Sequence, residues 1–352
     1  MTEVIPRQCN KMIQRQCNIR FNVPAFLGNA KQRGQWRTPP FKHLLREWWR
    51  VAWVEKHGYP SNVSDMREEE ARLFGSAADG SGNRSLVRLR LERWDMGRAT
   101  QWNDDPKVGH PEVGKNGVQV GSHLYLGYGP LSYDSKSKGT KLKANTAIQS
   151  GDTAGFRIAF PDEYSALLDR AASLMSAFGA VGGRSRNGWG SFELVEEKTT
   201  IAPNGLALRD WRDCLEQEWA HAIGQDEEGA LVWRTGGFSD WCKLMQELAR
   251  IKIALRVRFR FHSGWNARHP EDRHWLSYPV TNHSVRGWRN ARLPNSLRFK
   301  VRKDENGKYY GVIFHMPCTP PAEFSPDSAA LIRVWSSVHQ FLDAEGDLQR
   351  GR

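Results

Sequence analysis

The first half of this chain alternates between strand-like and helix-like patterns in an order that few folds accommodate. Alternating polar and apolar residues predict half-buried strands, and apolar residues spaced three and four apart predict helices. In chain order the patterns predict a strand at 18–23, a helix at 41–56, a strand at 85–94, a strand at 156–160, a helix at 161–178 and a strand at 189–195. Residues 95–152 are rich in Gly, Pro, Asp and Lys, which predicts a long insertion.

The order strand–helix–strand, insertion, strand–helix–strand is that of the split βαβ, or ferredoxin-like, domain, whose antiparallel sheet carries two helices on one face. In the second half the patterns predict helices at 207–223, 239–250 and 326–342, a strand at 251–261, and a hairpin of strands 297–303 and 309–316. Since 352 residues exceed the usual size of one domain, we expect an α+β protein with two domains, at 1–200 and 201–352.

The charge balance of the chain indicates an anionic partner. Lys and Arg number 51 against 39 Asp and Glu, which gives a formal net charge of +12. A protein this basic most often binds nucleic acid. A membrane surface is the competing anion, but there is no apolar run of transmembrane length and the first residues are polar, so we expect no membrane partner. The five cysteines form no C-x-x-C pair, which predicts neither zinc nor disulfides and favours the reducing cytoplasm.

A glycine-rich segment at 179–191 follows the second predicted helix and carries the strongest binding signal. Glycines allow positive φ angles and close backbone approach, and arginines offer planar charged groups that suit phosphate. The segment has neither the Gly-Lys-Ser/Thr of a P-loop nor a dinucleotide fingerprint, so we expect it to bind a phosphodiester backbone, with a purely structural turn as the alternative. Trp189 either stacks on a base or lies in the core. The candidate RNA-binding residues of this segment are Gly182, Gly183, Arg184, Ser185, Arg186, Asn187, Gly188 and Trp189.

The first predicted helix carries a second cationic element. Lys42, Arg46 and Arg50 recur every four residues on the side opposite the apolar core face. Trp49 lies between them. Like charges stacked in this way repel one another, so a solvated basic face is the plain alternative. The interleaved tryptophan favours a surface that contacts RNA or another subunit.

Two further segments repeat the mixture of Arg, Gly and Trp. Arg33 and Arg37 lie in the turn before the first helix, and we expect them to extend its basic face. Arg286 and Arg289 lie in a turn-rich segment of the second half, 282–292. We interpret this segment either as a second RNA contact or as an ordinary exposed turn. These four arginines complete the candidate site.

Five segments of the first half together resemble the RAMP superfamily of CRISPR-associated proteins. They lie at 24–30, 37–50, 73–76, 125–130 and 178–192, and the second half fits the family loosely through 294–317. The superfamily's glycine loop runs Gly-hydrophobic-Gly, five residues, Gly-hydrophobic-Gly. Here Gly182 and the run from Gly188 to Gly190 fit, with Ala180 in place of the first glycine. Within the superfamily, the chain looks most like the first RAMP subunit of the type III-B Cmr effector complex.

The resemblance implies two ferredoxin-like, RRM-like RAMP domains that bind RNA within a multisubunit surveillance complex. In that family this subunit lies near the 3′ end of the guide RNA and helps to capture target RNA in antiviral defence. The expected partners are guide RNA, target RNA and other RAMP subunits. Cleavage of the target is attributed to a different subunit, so the resemblance implies no catalytic residue, no metal and no cofactor in this chain.

Two alternatives stay open at this point. Some RAMP proteins process guide-RNA precursors with a His general base, for which His43, His57, His110 and His123 are the candidates. No Tyr or Lys at a suitable spacing completes an acid–base pair with any of them. The other alternative is an adaptor whose basic face docks an acidic subunit. It predicts little affinity for free RNA and tight binding to a protein neighbour.

Overall fold

A computed structural model of the chain describes residues 11–76, 82–102, 104–114, 117–143, 146–288 and 290–351. The elements of the first half are β1 (Met12–Phe21), α1 (Thr38–Lys56), α2 (Ser64–Phe74), β2 (Arg88–Leu91), β3 (Lys107–His110), β4 (Val118–Gly121), α3 (Ser122–Gly127), β5 (Leu131–Asp134), β6 (Gly139–Leu142), β7 (Thr153–Pro161), α4 (Ser165–Phe178), β8 (Phe192–Glu196) and β9 (Thr199–Thr200). Every strand and helix predicted in this half is present, with shifted ends. Helix α1 begins where Pro39 and Pro40 fit its first turn, because N–H groups there have no partner within the helix.

Antiparallel pairing joins five strands of the first half into a sheet of order β2–β7–β1–β8–β9. Helices α1 and α4 pack against each other over this sheet. Phe21, Phe156 and Phe192 point from the sheet toward Phe41 of α1, with ring centroids 5.4–6.3 Å from its ring. Each fully buried Phe side chain contributes about 1.5–3 kcal/mol to stability. Within this sheet, the strands β2, β7, β1 and β8 have the ferredoxin-like order, which confirms the predicted fold.

The second half repeats this architecture. Its elements are β10 (Leu208–Asp210), β11 (Ile223–Asp226), β12 (Gly229–Ala230), β13 (Val232–Thr235), α5 (Trp241–Arg258), β14 (Leu297–Lys303), β15 (Tyr309–His315), α6 (Ser328–Ala344) and β16 (Leu348–Arg350). Short 3₁₀ helices lie at Asp162–Tyr164, Asp213–Glu216, Asp272–Trp275 and Ala322–Phe324. An antiparallel sheet of order β14–β15–β13–β16 has α5 and α6 as its connections, which is the ferredoxin-like order again. β10–β12 form a small separate sheet.

The insertion between β2 and β7 folds onto the second half of the chain. It contains the antiparallel hairpins β3–β4 and β5–β6 and the short helix α3. Both β3 and α3 contact α5, and the Nε2 of Gln246 in α5 donates to the carbonyl of Lys107 at 2.6 Å. The hydrophobic core of the second half therefore includes residues of the insertion, such as Val108, Leu126 and Leu131. The division of the chain at residue 200 stays a prediction.

The helix predicted at 207–223 is wrong, because β10, a 3₁₀ turn and β11 lie there. Ala207, Trp211 and Cys214 are buried at helix-like spacing, which misled the prediction. The Asp210 carboxylate accepts a hydrogen bond from the backbone N–H of Arg212 at 2.8 Å. Such a local side-chain bond offers the backbone an alternative to a helix.

The strand predicted at 251–261 is wrong as well, because α5 continues to Arg258. Ile251, Ile253 and Leu255 alternate along the sequence and are all buried, which resembles a strand pattern. A helix buries alternate residues when more than one of its faces is covered. Helix α5 contacts both β15 and α3, and this double cover explains the pattern.

Helix α2 and strands β13 and β16 were not predicted. Helix α2 buries only Met66, Glu70, Leu73 and Phe74 among its eleven residues, so its pattern is weak. Its position over α1 decides which basic residues reach the surface. Of the helices in the described ranges, none combines the length and the apolar character that a membrane span requires.

Candidate nucleic-acid interface

The glycine loop, residues 179–191, connects α4 to β8 and folds back on itself. Gly182 and Gly188 have φ angles of +90° and +92°, which other residues rarely adopt. The N–H of Gly183 donates to the carbonyl of Phe26 at 3.0 Å and fixes the outer part of the loop against the segment that follows β1. The glycine spacing therefore sets the path of the backbone.

The outer turn of the glycine loop presents several unused backbone donors. Among the described residues, no acceptor faces the N–H groups of Gly182, Arg184, Ser185 and Arg186. Arg184 has a left-handed φ of 60°, and Gly182 and Arg184 are exposed. Turns that mix left- and right-handed residues can direct successive N–H groups into one concavity, which binds anions such as phosphate.

The second half of the chain holds both ends of the glycine loop. The Nζ of Lys300 in β14 donates to the carbonyls of Gly179 and Phe192. The backbone N–H of Phe299 donates to the carbonyl of Arg186 at 3.0 Å. Lys300 is fully buried, and this burial lowers the pKa of its amine. The loop thus belongs to both ferredoxin-like units, although its sequence lies in the first.

Arg186 and Arg298 are neighbours in a cleft between α1 and the start of β14. The cleft has two compartments of about 300 and 240 Å³, and Glu47, Trp48 and the two arginines line both. Within the described part of the chain, neither guanidinium has an ion-pair or hydrogen-bond partner. Burial lowers the pKa of both, and burial together with Arg186 lowers the pKa of Arg298 to about 10. Both therefore stay charged at neutral pH while being poorly hydrated.

Arg184 continues this positive surface toward the insertion. Its Nε donates to the carbonyl of Tyr128 at 2.5 Å, and the side chain of Tyr128 is 66% exposed beside it. Burial and the nearby Arg292 lower the pKa of Arg184. Burial and the charges of Arg256 and Arg184 lower the pKa of Lys252 to about 7. These shifts indicate a group of cations that share one region and lack counter-charges.

Trp189 and Asn187 of the glycine loop have structural positions. Trp189 is fully buried, with its ring centroid 5.2 Å from that of Phe26. Of the two predicted positions for Trp189, the core is therefore the correct one, and no base can stack on this ring. The Nδ2 of Asn187 donates to the carbonyl of Leu126 at 2.7 Å, and its Oδ1 accepts from Lys252.

The basic face predicted on α1 is covered by α2. Trp49 is fully buried and packs edge-on against Phe74, with ring centroids 5.8 Å apart. Arg46 and Arg50 both pair with Glu70, whose side chain is only 4% exposed. The prediction that Trp49 offers a stacking plane is wrong, because the unpredicted helix buries it. The two arginines neutralise a buried carboxylate instead of facing solvent unpaired.

The remaining basic residues predicted around α1 lie outside the glycine-loop cleft. The Nζ of Lys42 donates to the Oγ of Ser85 at 2.7 Å. Arg33 and Arg37 line a separate surface cleft of about 570 Å³. Trp94 lies in the same cleft with its side chain 55% exposed. This cleft places arginines beside an exposed aromatic ring. The sequence predicted that combination for the surface of α1, and the structure has it at this cleft instead.

The turn-rich segment of the second half exposes Arg286 and buries the tryptophan next to it. Trp288 is 6% exposed and packs against Trp275 and Tyr278, with ring centroids 5.3 and 5.0 Å away. Arg289 lies outside the described residues. As at Trp189, the tryptophan of an Arg- and Gly-rich turn anchors that turn in the core.

Several residues of this region were not predicted as site residues. The unpredicted ones are Tyr128, Lys252, Arg292 and Arg298. Arg298 gave no distinct signal, because it is a regular polar position of the alternating strand that was predicted at 297–303. The others become neighbours of the loop only through tertiary packing.

The four histidines considered as general bases lie in different surroundings. His43 is exposed in the glycine-loop cleft, with its Nε2 3.6 Å from an Oε1 of Glu47. The Nδ1 of His57 bonds a backbone carbonyl at 2.7 Å. Burial lowers the pKa of His110 and of His123, which keeps both imidazoles neutral. The described residues contain no group of three His, Cys, Asp or Glu side chains placed to hold a metal ion.

Comparison with known proteins supports the resemblance. Residues 41–193 match the model of the RAMP superfamily. The chain is similar to a chain of the type III-B Cmr-beta complex bound to cognate target RNA, with 11% identity and a TM-score of 0.50, over 93% of this chain and 100% of that one. It is also similar to apo Cmr1 from Pyrococcus furiosus, with 15% identity and a TM-score of 0.45, over 93% and 96%. The comparison with curated proteins gives no match. Over residues 41–193, which include the glycine loop, the chain is similar to the RAMP superfamily, and its fold is similar to that of the Cmr-beta chain.

Proposed function

We propose that this chain is a non-catalytic, RNA-binding subunit of a cytoplasmic type III-B CRISPR effector complex. In this role it lies near the 3′ end of the guide RNA, contacts other RAMP subunits and helps to capture target RNA. The observation that carries the proposal is the cleft of Arg186 and Arg298, where two partly buried cations, near Glu47 but without an ion pair among the described residues, adjoin the unused N–H groups of the glycine loop.

A phosphate bound in this cleft would satisfy groups that the protein leaves unsatisfied. A buried cation without a partner is unfavourable, and a phosphate oxygen supplies both the missing charge and the missing acceptors. The backbone donors of Gly182, Arg184 and Ser185 add contacts that do not depend on base identity. The site therefore holds a sugar–phosphate backbone and reads no sequence. Such a property suits a subunit that must accept guides of any sequence.

The relatives support the assembly part of the proposal. The chain of similar fold in the Cmr-beta structure belongs to a complex bound to cognate target RNA. We extend to the present chain both membership of such a complex and proximity to RNA.

The test is RNA binding by the variant Arg186→Gln/Arg298→Gln. Fluorescence anisotropy with a labelled single-stranded RNA at several salt concentrations gives both the affinity and its salt dependence. Each lost phosphate contact lowers the slope of log K against log salt by about 0.7, so we expect a fall of about 1.4 together with weaker binding. Arg72→Gln removes an exposed charge from α2 and serves as the control with an unchanged slope.

The thermal stability of the same variant adds a second readout. Because the two arginines are partly buried and make no hydrogen bond or ion pair among the described residues, their replacement should leave the melting temperature unchanged or raise it. Lower affinity for RNA in an equally stable protein supports a binding cleft. An unchanged affinity and salt slope would contradict the proposal, and cleavage of the RNA by the wild-type chain would favour the processing alternative.

A further inference from the structure

A large cavity lies away from the glycine-loop cleft. It measures about 850 Å³ and opens between the β3–β4 hairpin of the insertion and the C-terminal end of α5. Ligand pockets of proteins usually measure about 300–1,000 Å³, so this one can hold a group of nucleotide size. His110 and Glu112 line it from the hairpin side, Arg256 lines it from α5, and Arg260 lines it from the segment just after α5.

The charges of this cavity are unbalanced. Arg256, Arg260 and Arg273 line it, and Glu112 is the carboxylate that faces them. Glu112 is engaged by the Nη1 of Arg273 at 2.7 Å. Among the described residues, Arg256 and Arg260 have no ion-pair partner. Two positive charges are therefore left over for an anion.

Buried polar atoms in the cavity also lack partners. His110 is 9% exposed, and its Nδ1 makes no hydrogen bond. Arg273 is 7% exposed, and its Nε makes none either. Buried polar atoms without partners are rare in folded proteins and call for a missing ligand or water. Burial lowers the pKa of His110, and a neutral imidazole can either donate to or accept from a base edge.

A column of three cations leads from the glycine loop to this cavity. Lys252 and Arg256 lie four residues apart on one face of α5, about 6 Å along its axis, and Arg260 follows two residues after the helix ends. At the first step, the Nζ of Lys252 donates to the side chain of Asn187 in the glycine loop. At the last step, Arg260 lines the cavity. A chain of regularly spaced phosphates can follow such a column.

We propose that this cavity is a second RNA subsite, which holds a nucleotide of the same strand that the glycine loop binds. The inference rests on the proposed function, because the strand reaches the cavity along the cations of α5. The phosphate of that nucleotide pairs with Arg256 and Arg260, and its base fills the space beside His110. A free mononucleotide offers the same phosphate and base to the cavity, but it makes no contact with the glycine loop.

The test compares two single-stranded RNAs, one that covers only the glycine-loop cleft and one several nucleotides longer. Their affinities are measured for the wild-type chain, for Arg256→Gln/Arg260→Gln and for Arg258→Gln. Arg258 lies on the same helix but is exposed, and its Nε donates to Ser337 on α6, so this variant removes a charge outside the cavity. Circular dichroism and thermal melting confirm that the variants are folded.

The expected result is a selective loss with the longer RNA. The cavity variant should bind the longer RNA at least tenfold more weakly, with a salt slope lower by about 1.4, and should bind the shorter RNA as the wild-type does. Equal losses in the cavity and control variants, or equal affinity of the wild-type for both RNAs, would overturn the subsite while leaving the glycine loop as the RNA site. Tight binding of AMP without any effect of RNA length would assign the cavity to a free nucleotide. It would overturn the inference that the cavity holds a nucleotide of the bound RNA strand. Failure of the wild-type to bind either RNA would overturn the proposed function as well.

Discussion

Replacement of Gly182 by alanine tests whether the glycine loop needs its particular backbone path. At φ +90° a β-carbon is unfavourable by about 1–2 kcal/mol. In addition, this β-carbon would lie 2.6 Å from the carbonyl oxygen of Phe26, closer than real β-carbons come. Relief of that contact moves the loop away from the acceptor of the Gly183 N–H and weakens a bond worth about 0.5–1.5 kcal/mol. The expected total loss in the free energy of unfolding is about 2–3 kcal/mol.

Two other glycines separate the cost of the positive φ from the cost of the contact with Phe26. Gly205 has φ +75°, and a β-carbon at this position would have no atom within 4 Å, so Gly205→Ala should lose only the backbone part, about 1 kcal/mol. Gly236 has open space and an ordinary φ, so Gly236→Ala should leave stability unchanged or slightly raised. Urea unfolding of the three variants gives the order Gly182→Ala, Gly205→Ala, Gly236→Ala from the least to the most stable.

The RNA affinity of the same three variants links the backbone path to binding. Only Gly182→Ala moves the N–H groups at the outer turn of the loop, so only this variant should bind single-stranded RNA more weakly in anisotropy. Equal stability losses for Gly182→Ala and Gly205→Ala would refute the argument from the contact with Phe26. Normal RNA affinity in a destabilised Gly182→Ala would refute the role of the outer turn.

Two further predictions address charged residues. Glu70→Gln removes the carboxylate shared by Arg46 and Arg50, and urea unfolding should show a loss of about 1–3 kcal/mol in the free energy of unfolding. The RNA affinity of this variant should be unchanged. A gain in RNA affinity would instead mean that the basic face of α1 can bind RNA. Lys252 has a pKa of about 7 in the folded chain and 10.5 in the unfolded chain. Between pH 7 and 10.5 the unfolded chain therefore binds one more proton at this residue than the folded chain does. The free energy of unfolding should rise with pH across that range. Lys252→Met should lack this part of the pH dependence, and identical pH profiles of the two proteins in urea unfolding would contradict the assigned shift.

The sequence predicted the first ferredoxin-like unit well because its elements have strong and separate periods. Strand β7 buries Phe156, Ile158 and Phe160 at alternate positions, and the first half of α4 buries Leu167, Leu168 and Ala171 at helical spacing, so the two periods stay distinct. In the second half, α5 is buried on more than one face, and its apolar residues no longer distinguish a helix from a strand. The strand predicted at 251–261 is wrong for this reason, whereas the helix predicted at 207–223 is wrong because buried residues at helix-like spacing lie in β10, a 3₁₀ turn and β11.

The candidate site was predicted in part for a related reason. Glycines and arginines at 179–191 predicted the loop, because positive φ and charge are local properties. The direction of a side chain is not local. Trp49 and Trp189 were both weighed as stacking planes, and both are buried by elements distant in sequence, α2 and the insertion with α5. Arg298 and Tyr128 joined the interface through the same distant packing.

The contact of Lys300 with both ends of the glycine loop sets an order of events during synthesis. Strand β14, which carries Lys300, begins at Leu297 and leaves the ribosome about 100 residues after the loop. At about 5–20 residues per second this interval lasts roughly 5–20 s. During that time the nascent chain has made its first sheet, yet its loop lacks the lysine that fixes it. A partly made chain therefore lacks the two Lys300 hydrogen bonds that fix the ends of the glycine loop.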